Sequence, residues 1–236
     1  MIEVKNLNAG YGRAPVLYGI DFSVRAKEIT AVLGPNGSGK STLLKTIMGL
    51  TSVYSGSVEL EGADVTGLRP DQRAKLGIAY LPQIGSVFTN LSIRENMVMA
   101  GITLEKSELS DRMETAVSGF PFLKENLDRK VMTMSGGERQ MLAMAMALIR
   151  KPRVMMFDEP TANLAPKAAT EVMTKITTLR EELGHATIIV EQSARKTLEI
   201  SDEAYLLVTG RTTFKGKATD LLKHPELGKL YLGIRT

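Results

Sequence analysis

The sequence predicts an α/β fold in which a strand-rich core is interrupted by a block of helices. Short runs of strand-forming residues occupy the first third of the chain, helical patterns fill 85–152, and strand-like runs return after that block. No repeat, low-complexity segment or Gly/Ser linker divides the 236 residues. We therefore expect one domain over 1–236, with 1–84 and 153–236 as the core and 85–152 as the helical part.

Five short runs in the first third are typical of strands. In the second of them, Ile20, Phe22 and Val24 alternate with polar residues, which indicates a strand with one buried face. The runs are, in order, IEVKNL, YGIDFSVRA, EITAVLG, GSVELEG and GIAYLPQ.

The helical part begins with a capping signal, because Ser92 and Glu95 have the spacing of a capping box and helix-like patterns follow through 120. After it, 154–157 and 186–190 read as strands, and Pro166 to Leu183 reads as an amphipathic helix that Gly184 ends. Strand, helix and strand in this order imply a right-handed parallel unit. The apolar face of the helix is expected to comprise Val172, Met173, Ile176, Leu179 and Leu183.

Composition excludes several classes of protein. The chain is 43% apolar and 24% charged with a net charge of +4, which is ordinary for a globular domain and too mildly basic to indicate nucleic acid. Without cysteine it has neither disulfides nor a thiolate metal site. No apolar run approaches the roughly 18 residues of a membrane span, and the first residues lack the pattern of a signal peptide. We expect a cytosolic protein that touches a membrane only through a partner.

The strongest chemical signal is the run GPNGSGKS at 34–41, which matches the Walker A pattern G-x-x-x-x-G-K-S. It follows the apolar strand 29–33 and opens a helix, and this context distinguishes a phosphate-binding loop (P-loop) from a plain glycine-rich turn. Backbone N–H groups would cradle phosphates, Lys40 would reach the terminal ones, and Ser41 would offer its hydroxyl to Mg²⁺. The predicted nucleotide-binding residues here are Gly34, Pro35, Asn36, Gly37, Ser38, Gly39, Lys40, Ser41 and Thr42.

A second signal is the pair of carboxylates Asp158 and Glu159, which follows the apolar run 154–157. A buried parallel strand delivers such residues to its carboxyl end, where ligands of open α/β sheets bind. Asp158 is expected to hold the Mg²⁺ shell through water, and Glu159 to polarise the attacking water. Without the phosphate-binding loop beside it, the pair would also fit a strand that simply ends in two solvent-exposed acidic residues.

A third signal is the run Ser135, Gly136, Gly137 and Glu138 at the start of a helix. Ser135 and Glu138 fit a capping box, so a well-capped helix is the simpler interpretation. Capping does not require two glycines, each of which costs a helix about 1 kcal/mol relative to alanine. Bare N–H groups at the positive end of a helix suit a γ-phosphate.

With these residues the chain resembles the ATP-binding cassette (ABC) family, whose L-S-G-G-Q signature matches 134–138, and the resemblance covers nearly the whole chain. It implies a P-loop NTPase core of ABC type with an N-terminal antiparallel β subdomain and an inserted α-helical subdomain that faces membrane-spanning partners. In that family the signature helix caps the ATP held by the other subunit. The resemblance therefore implies ATP and Mg²⁺ as cofactors and a head-to-tail dimer as the active form.

The resemblance also implies roles for isolated residues. Tyr11 lies where the family places an aromatic ring against adenine, and Gln83 matches the glutamine that touches Mg²⁺; an exposed tyrosine and a surface glutamine are the plain alternatives. Gln192 stands where most members carry a γ-phosphate-binding histidine, and it cannot gain a proton near neutral pH.

Two further observations concern residues outside the matched motifs. Ala165 replaces the usual aspartate of the loop after Glu159, which leaves Asn163 as a hydrogen-bonding group there. The only histidines, His185 and His224, fall outside the motifs and are expected at the surface.

The chain resembles most closely the second ATPase subunit of branched-chain amino acid importers, and this narrower resemblance is carried by the runs at 164–166, 190–194 and 231–234. Urea and amide importers share much of the pattern. This implies an ATPase on the inner face of the membrane that powers solute import. Its partners would be permease subunits and a second ATPase subunit, identical or homologous, without direct contact to nucleic acid or to the solute-binding protein.

Two other functions stay open. A soluble cassette ATPase acting on nucleic acid or ribosomes usually carries a coiled-coil insertion or two cassettes, and neither fits in 236 residues. A nucleotide-binding scaffold with little hydrolysis is compatible with Gln192, but the intact Glu159 argues against it.

Overall fold

The computed structural model describes residues 1–192 and 194–224. Its strands are β1 Ile2–Tyr11, β2 Ala14–Val24, β3 Ile29–Leu33, β4 Ser52–Leu60, β5 Ala63–Asp64, β6 Ile78–Leu81, β7 Val154–Asp158, β8 Ala186–Glu191, β9 Glu203–Val208 and β10 Arg211–Lys217. Its helices are α1 Lys40–Met48, α2 Pro70–Lys75, α3 Ile93–Ala100, α4 Lys106–Ser118, α5 Pro121–Glu125, α6 Gly136–Leu148, α7 Pro166–Leu183, α8 Ala194–Ile200 and α9 Ala218–Leu222. A 3₁₀ turn at Val131–Thr133 precedes α6.

The strands in the described part of the chain form two sheets. The first is antiparallel, in the order β2-β1-β4-β5. The second has the order β10-β9-β3-β8-β7-β6, in which all neighbours are parallel except β10 and β9. The carboxyl ends of β3, β6, β7 and β8 therefore meet at one edge, which is where open α/β sheets bind ligands.

Strands β3, β7 and β8 are buried along their whole length, as expected of parallel strands covered on both faces. In β2 only one face is buried at 20–24, which confirms the alternation of the sequence. Helix α7 starts with Pro166 in its first turn and ends at Gly184 in the left-handed conformation, φ 69°. It joins β7 to its parallel neighbour β8, as the strand–helix–strand pattern predicts.

Helices α3 to α6 lie in sequence between β6 and β7, and Ser92 and Glu95 form the expected capping box at the start of α3. The buried apolar residues of this block form one cluster with the inner face of α7 and with Met155 and Phe157 of β7. The helical part is thus packed onto one side of the parallel sheet. The boundaries at 84/85 and 152/153 stay a prediction. No helix in the described ranges is long and apolar enough to cross a membrane.

Two predictions about side chains are wrong. Leu183 is 56% exposed, because it lies in the last turn of α7, beyond the point where the helix covers the sheet. His185 is 3% exposed, since the turn at Gly184 carries the chain directly into the buried strand β8. The expectation that His224 lies at the surface agrees better with the structure, because that side chain is partly exposed. Ser193 and 231–234, which helped to narrow the family resemblance, lie outside the described residues.

Candidate active site

The segment 34–39 connects β3 to α1 and forms a tight loop. Gly39 precedes α1 with φ 102°, and a side chain at Gly34, φ 149°, would collide with the carbonyl oxygen of Leu207. Lys40 folds back over this loop, and its Nζ donates to the carbonyl oxygens of Gly34 at 2.8 Å and Pro35 at 3.0 Å. The loop is therefore closed around its own lysine.

Two groups of this loop fit an anion. The Ser38 hydroxyl is buried without a hydrogen-bond partner, and Lys40 is 4% exposed without an ion pair within the described ranges. Burial lowers the pKa of the Lys40 ammonium, although the negative charges of Glu159, Asp158 and Glu191 act in the opposite direction. A phosphate in this loop would satisfy both groups, so the residues present fit the predicted ligand.

Ser41 at the start of α1 and Asp158 at the end of β7 are brought together, and the Ser41 hydroxyl donates to Asp158 Oδ1 at 2.7 Å. The other carboxylate oxygen, Oδ2, accepts from the Tyr80 hydroxyl at 2.8 Å. Burial and the Asp158 charge raise the pKa of Tyr80, so this hydroxyl stays a donor. Mg²⁺ in nucleotide sites takes one or two carboxylates together with phosphates and water, which this donor set fits. In the described part of the chain, this site included, no three His, Cys, Asp or Glu side chains cluster as metal ligands.

Glu159 follows β7 directly and adopts φ 50°, an uncommon conformation for a residue with a side chain. Its Oε2 accepts a hydrogen bond from Gln83 Nε2 at 2.9 Å. Burial raises the pKa of Glu159, Lys40 opposes the shift, and the Glu191 and Asp158 charges add to it. The structure thus joins Gln83 to the predicted catalytic carboxylate, a contact that the sequence did not predict.

Gln192 follows β8 at the same sheet edge, and its side chain is exposed. Its backbone N–H donates to Glu191 Oε2 at 3.2 Å. The other oxygen of Glu191, Oε1, accepts from the backbone N–H of Thr161 at 2.9 Å and from its hydroxyl at 2.6 Å. Sequence reasoning missed Glu191 and Tyr80. The available signal for Glu191 was a carboxylate at the end of an otherwise apolar strand.

Ser135 and Glu138 form a full capping box at the start of α6: Ser135 N donates to Glu138 Oε2 at 2.6 Å, and Glu138 N donates to Ser135 Oγ at 3.3 Å. Among the described residues, no hydrogen bond joins this helix start to the loop at 34–41. The segment instead borders a cleft of about 490 Å³ that Gln83, Gly136 and Asn163 help to line. The structure of one chain therefore leaves the predicted signature apart from the phosphate loop.

Tyr11 ends β1 and is 46% exposed, with the Lys45 Nζ 6.0 Å from the centre of its ring. An exposed ring beside the P-loop helix leaves one aromatic face open to a flat ligand. The arrangement is compatible with the predicted stacking role, which stays a prediction.

The chain is similar in sequence to known transport proteins. The family model described as "ABC transporter" matches residues 17–162. The chain is 51% identical over 234 residues to the "Probable branched-chain amino acid transport ATP-binding protein LivF" of Archaeoglobus fulgidus, covering 99% of each protein. It is 36% identical over 233 residues to the "High-affinity branched-chain amino acid transport ATP-binding protein BraG" of Pseudomonas aeruginosa, covering 99% of this chain and 100% of that protein.

Solved structures share the fold. An ATP-binding cassette of an ABC transporter in its ADP conformation superposes with a TM-score of 0.89 at 24% identity, covering 99% of this chain and 98% of the other. A dimeric ATP-binding cassette in a post-hydrolysis state, bound to ADP and inorganic phosphate, gives a TM-score of 0.78 at 24% identity, covering 92% and 99%.

Proposed function

The chain belongs to the ABC transporter family, and we propose that it is the ATP-hydrolysing subunit of a membrane importer for branched-chain amino acids. Family membership confirms the resemblance and the fold class predicted from the sequence, and with them nucleotide binding and ATPase activity. The substrate proposal is supported by two relatives, named as branched-chain amino acid transport proteins, that match the chain over nearly its full length. The single observation that carries the site proposal is the Ser41–Asp158 contact of 2.7 Å beside the buried Lys40.

In the proposed site Lys40 and the backbone N–H groups of 34–41 bind the phosphates, and Ser41 and Asp158 hold Mg²⁺. When bound, Mg²⁺ neutralises charge on the phosphate oxygens. Glu159 orients the attacking water and accepts its proton, and burial favours this role because it raises the pKa of the carboxylate. Gln192 donates a hydrogen bond to the γ-phosphate, since an amide can donate but not gain a proton near neutral pH.

We assign Ser135, Gly136, Gly137 and Glu138 to the ATP of a second subunit, so that two sites form between two chains. Support comes from the separation of this helix start from the P-loop within one chain, and from the dimeric cassette that shares the fold. ATP binds the closed dimer better than the monomer under this proposal, and that difference drives closure. Whether the second subunit is identical or homologous depends on the assembled transporter.

Permease subunits are the proposed membrane partners, and the region after β6 is the proposed contact surface. Ile84 is 83% exposed, and Phe88, Val98 and Ile102 are also exposed apolar side chains in this region. A cleft of about 270 Å³ lies nearby and is lined in part by Tyr80 of β6 and Ala100 of α3. Exposed apolar side chains grouped in one region are typical of a protein interaction site. The chain would then sit on the inner face of the membrane.

The dimer proposal is tested with two variants. Lys40→Ala should weaken ATP binding to the single chain, because it deletes the charge that faces the phosphates. Ser135→Arg should leave that binding nearly intact while it blocks ATP-induced dimerisation, measured by sedimentation in a Glu159→Gln background that slows hydrolysis. Equal loss of nucleotide affinity in both variants would refute the two-chain site.

The importer proposal is tested by expressing the chain with its candidate permease subunits and reconstituting the purified complex in liposomes. ATP-dependent uptake of radiolabelled leucine with a matching stimulation of hydrolysis is the expected result. Uptake of urea or of an amide instead would reassign the substrate and leave the ATPase role intact. Failure of membrane subunits to co-purify, together with hydrolysis that RNA or ribosomes stimulate, would favour the soluble cassette ATPase.

A further inference from the structure

The side chain of Glu191 is a buried carboxylate that the proposed catalytic cycle does not use. It is 3% exposed and takes part in no ion pair in the described part of the chain. Burying an ionised carboxylate costs free energy unless donors compensate it. Three donors do so here: the N–H and hydroxyl of Thr161 on Oε1, and the N–H of Gln192 on Oε2.

These donors belong to two loops that leave the sheet side by side. Thr161 lies two residues after Glu159 in the loop that follows β7, and Gln192 lies in the loop that follows β8. Backbone hydrogen bonds between β7 and β8 continue as far as the N–H of Glu159, which donates to the carbonyl oxygen of Val190 at 2.8 Å. Beyond that bond the sheet ends, and the Glu191 carboxylate provides the next connection between the two loops.

The loop after β7 needs such a restraint. Glu159 has φ 50°, in a region that residues other than Gly, Asn and Asp rarely adopt, while Asn163, φ 61°, is of a type that tolerates it. Conformations of this kind persist where surrounding contacts over-determine them. Thr161 lies between the two residues, so its two hydrogen bonds to Glu191 fix the middle of this segment.

We propose that Glu191 is a positioning residue that fixes the loop carrying Glu159 to the backbone at Gln192, so that the water-polarising carboxylate and the γ-phosphate-binding amide keep one mutual geometry. The inference rests on the catalytic roles proposed above. We call the three hydrogen bonds that Glu191 accepts from Thr161 and Gln192 the latch. Weakening the latch should slow the chemical step and leave ATP binding intact, because the loop at 34–41 binds the phosphates.

Substitutions separate the two halves of the latch. In Glu191→Gln a single amide oxygen can still accept from Thr161, but the amide N–H₂ opposes the N–H of Gln192. Thr161→Val removes one hydrogen bond of the other half, whereas Thr161→Ser retains its hydroxyl. Glu181→Gln and Thr178→Val are matched controls on α7, where the Thr178 hydroxyl bonds only within its own helix.

The experiment measures single-turnover hydrolysis and equilibrium binding of a fluorescent ATP analogue with the full chain. Glu191→Gln and Thr161→Val should each slow hydrolysis about 10-fold, the size of a lost hydrogen bond to a charged group, and change ATP affinity less than about twofold. Thr161→Ser and both controls should stay near the parent rate. Because Glu191 is proposed to act partly through Gln192, Glu191→Gln should cost less in a Gln192→Ala background.

A parallel loss of rate and affinity, a slow Thr161→Ser, or full additivity with Gln192→Ala would overturn the latch. Thermal midpoints of all variants check that none has simply unfolded. A parent rate that Glu159→Gln does not lower would instead refute the proposed catalytic roles, and this outcome is visible without any Glu191 variant.

Discussion

His185 makes the stability of the chain sensitive to mildly acidic pH. Its ring is 3% exposed, and both ring nitrogens are buried without a hydrogen-bond partner. Burial, with the nearby Arg180 charge as a smaller cause, lowers the pKa of His185 from 6.5 to about 4. The folded state therefore holds the neutral ring, while the unfolded chain takes up a proton below pH 6.5.

The sign and size of the effect follow from this difference. A histidine whose pKa is lower in the folded state than in the unfolded state does not reduce stability above the unfolded pKa of 6.5. Below that pH the unfolded chain binds the proton more readily, so stability falls as the pH drops from 6.5 towards 4. With the two pKa values above, the free energy of unfolding should fall by about 1 kcal/mol at pH 6, about 2 kcal/mol at pH 5 and about 3 kcal/mol at full protonation.

The assay is urea unfolding of the parent and of His185→Phe between pH 5 and 8. Phenylalanine cannot titrate, so the difference in free energy of unfolding between parent and variant should change with pH by these amounts, whatever its value at pH 8. His224→Gln serves as the control and should leave the pH dependence unchanged. A difference that stays constant over this range would show that the ring takes up its proton equally in the folded and unfolded states, and would refute the reasoning.

Three further predictions concern the site. Glu159→Gln should slow single-turnover hydrolysis about 10²–10⁴-fold with ATP affinity retained, and Gln192→Ala should slow hydrolysis less. The rate of Gln192→His should gain a pH dependence between pH 6 and 9, because histidine titrates near neutrality. Equal losses of rate in Glu159→Gln and Gln192→Ala would refute the division of roles. Tyr80→Phe should raise the Mg²⁺ concentration for half-maximal nucleotide binding about 10-fold and leave Mg²⁺-free binding unchanged, measured by fluorescence titration. Gly137→Ala should lower the thermal midpoint, whereas Gly136→Ala should leave it intact and block ATP-induced dimerisation in sedimentation.

The parts of the site that the sequence predicts are those fixed by local spacing. The loop at 34–41 and the capping box at Ser135 are each read from a few consecutive residues, and both adopt the expected backbone. The Ser41–Asp158 contact spans 117 positions, yet a parallel sheet brings the ends of β3 and β7 to one edge, so their proximity was also predictable.

The parts that the sequence did not predict depend on which atoms face each other between neighbouring elements. Tyr80 reaches Asp158 because the register of β6 pairs it with Met156 of β7. Glu191 reaches Thr161 because the loops after β7 and β8 bend towards each other beyond the sheet. No local pattern encodes that register or that bend. The burial of His185 was missed for a similar reason, since it depends on how the turn after α7 enters the sheet.

The two adjacent glycines at the start of α6 differ in how closely the rest of the chain packs against them. A Cβ at Gly137 would lie 3.1 Å from the Cβ of Ala168 in the first turn of α7, and neither atom can move without shifting a helix. Close packing of α6 against α7 therefore accounts for Gly137. A Cβ at Gly136 would meet only Leu164 Cδ2, at 2.7 Å, the end of a flexible side chain that can rotate away. Packing within the chain leaves Gly136 without a strict requirement, and under the two-chain site proposed above the phosphate of a second subunit would supply the reason for a bare N–H at this position.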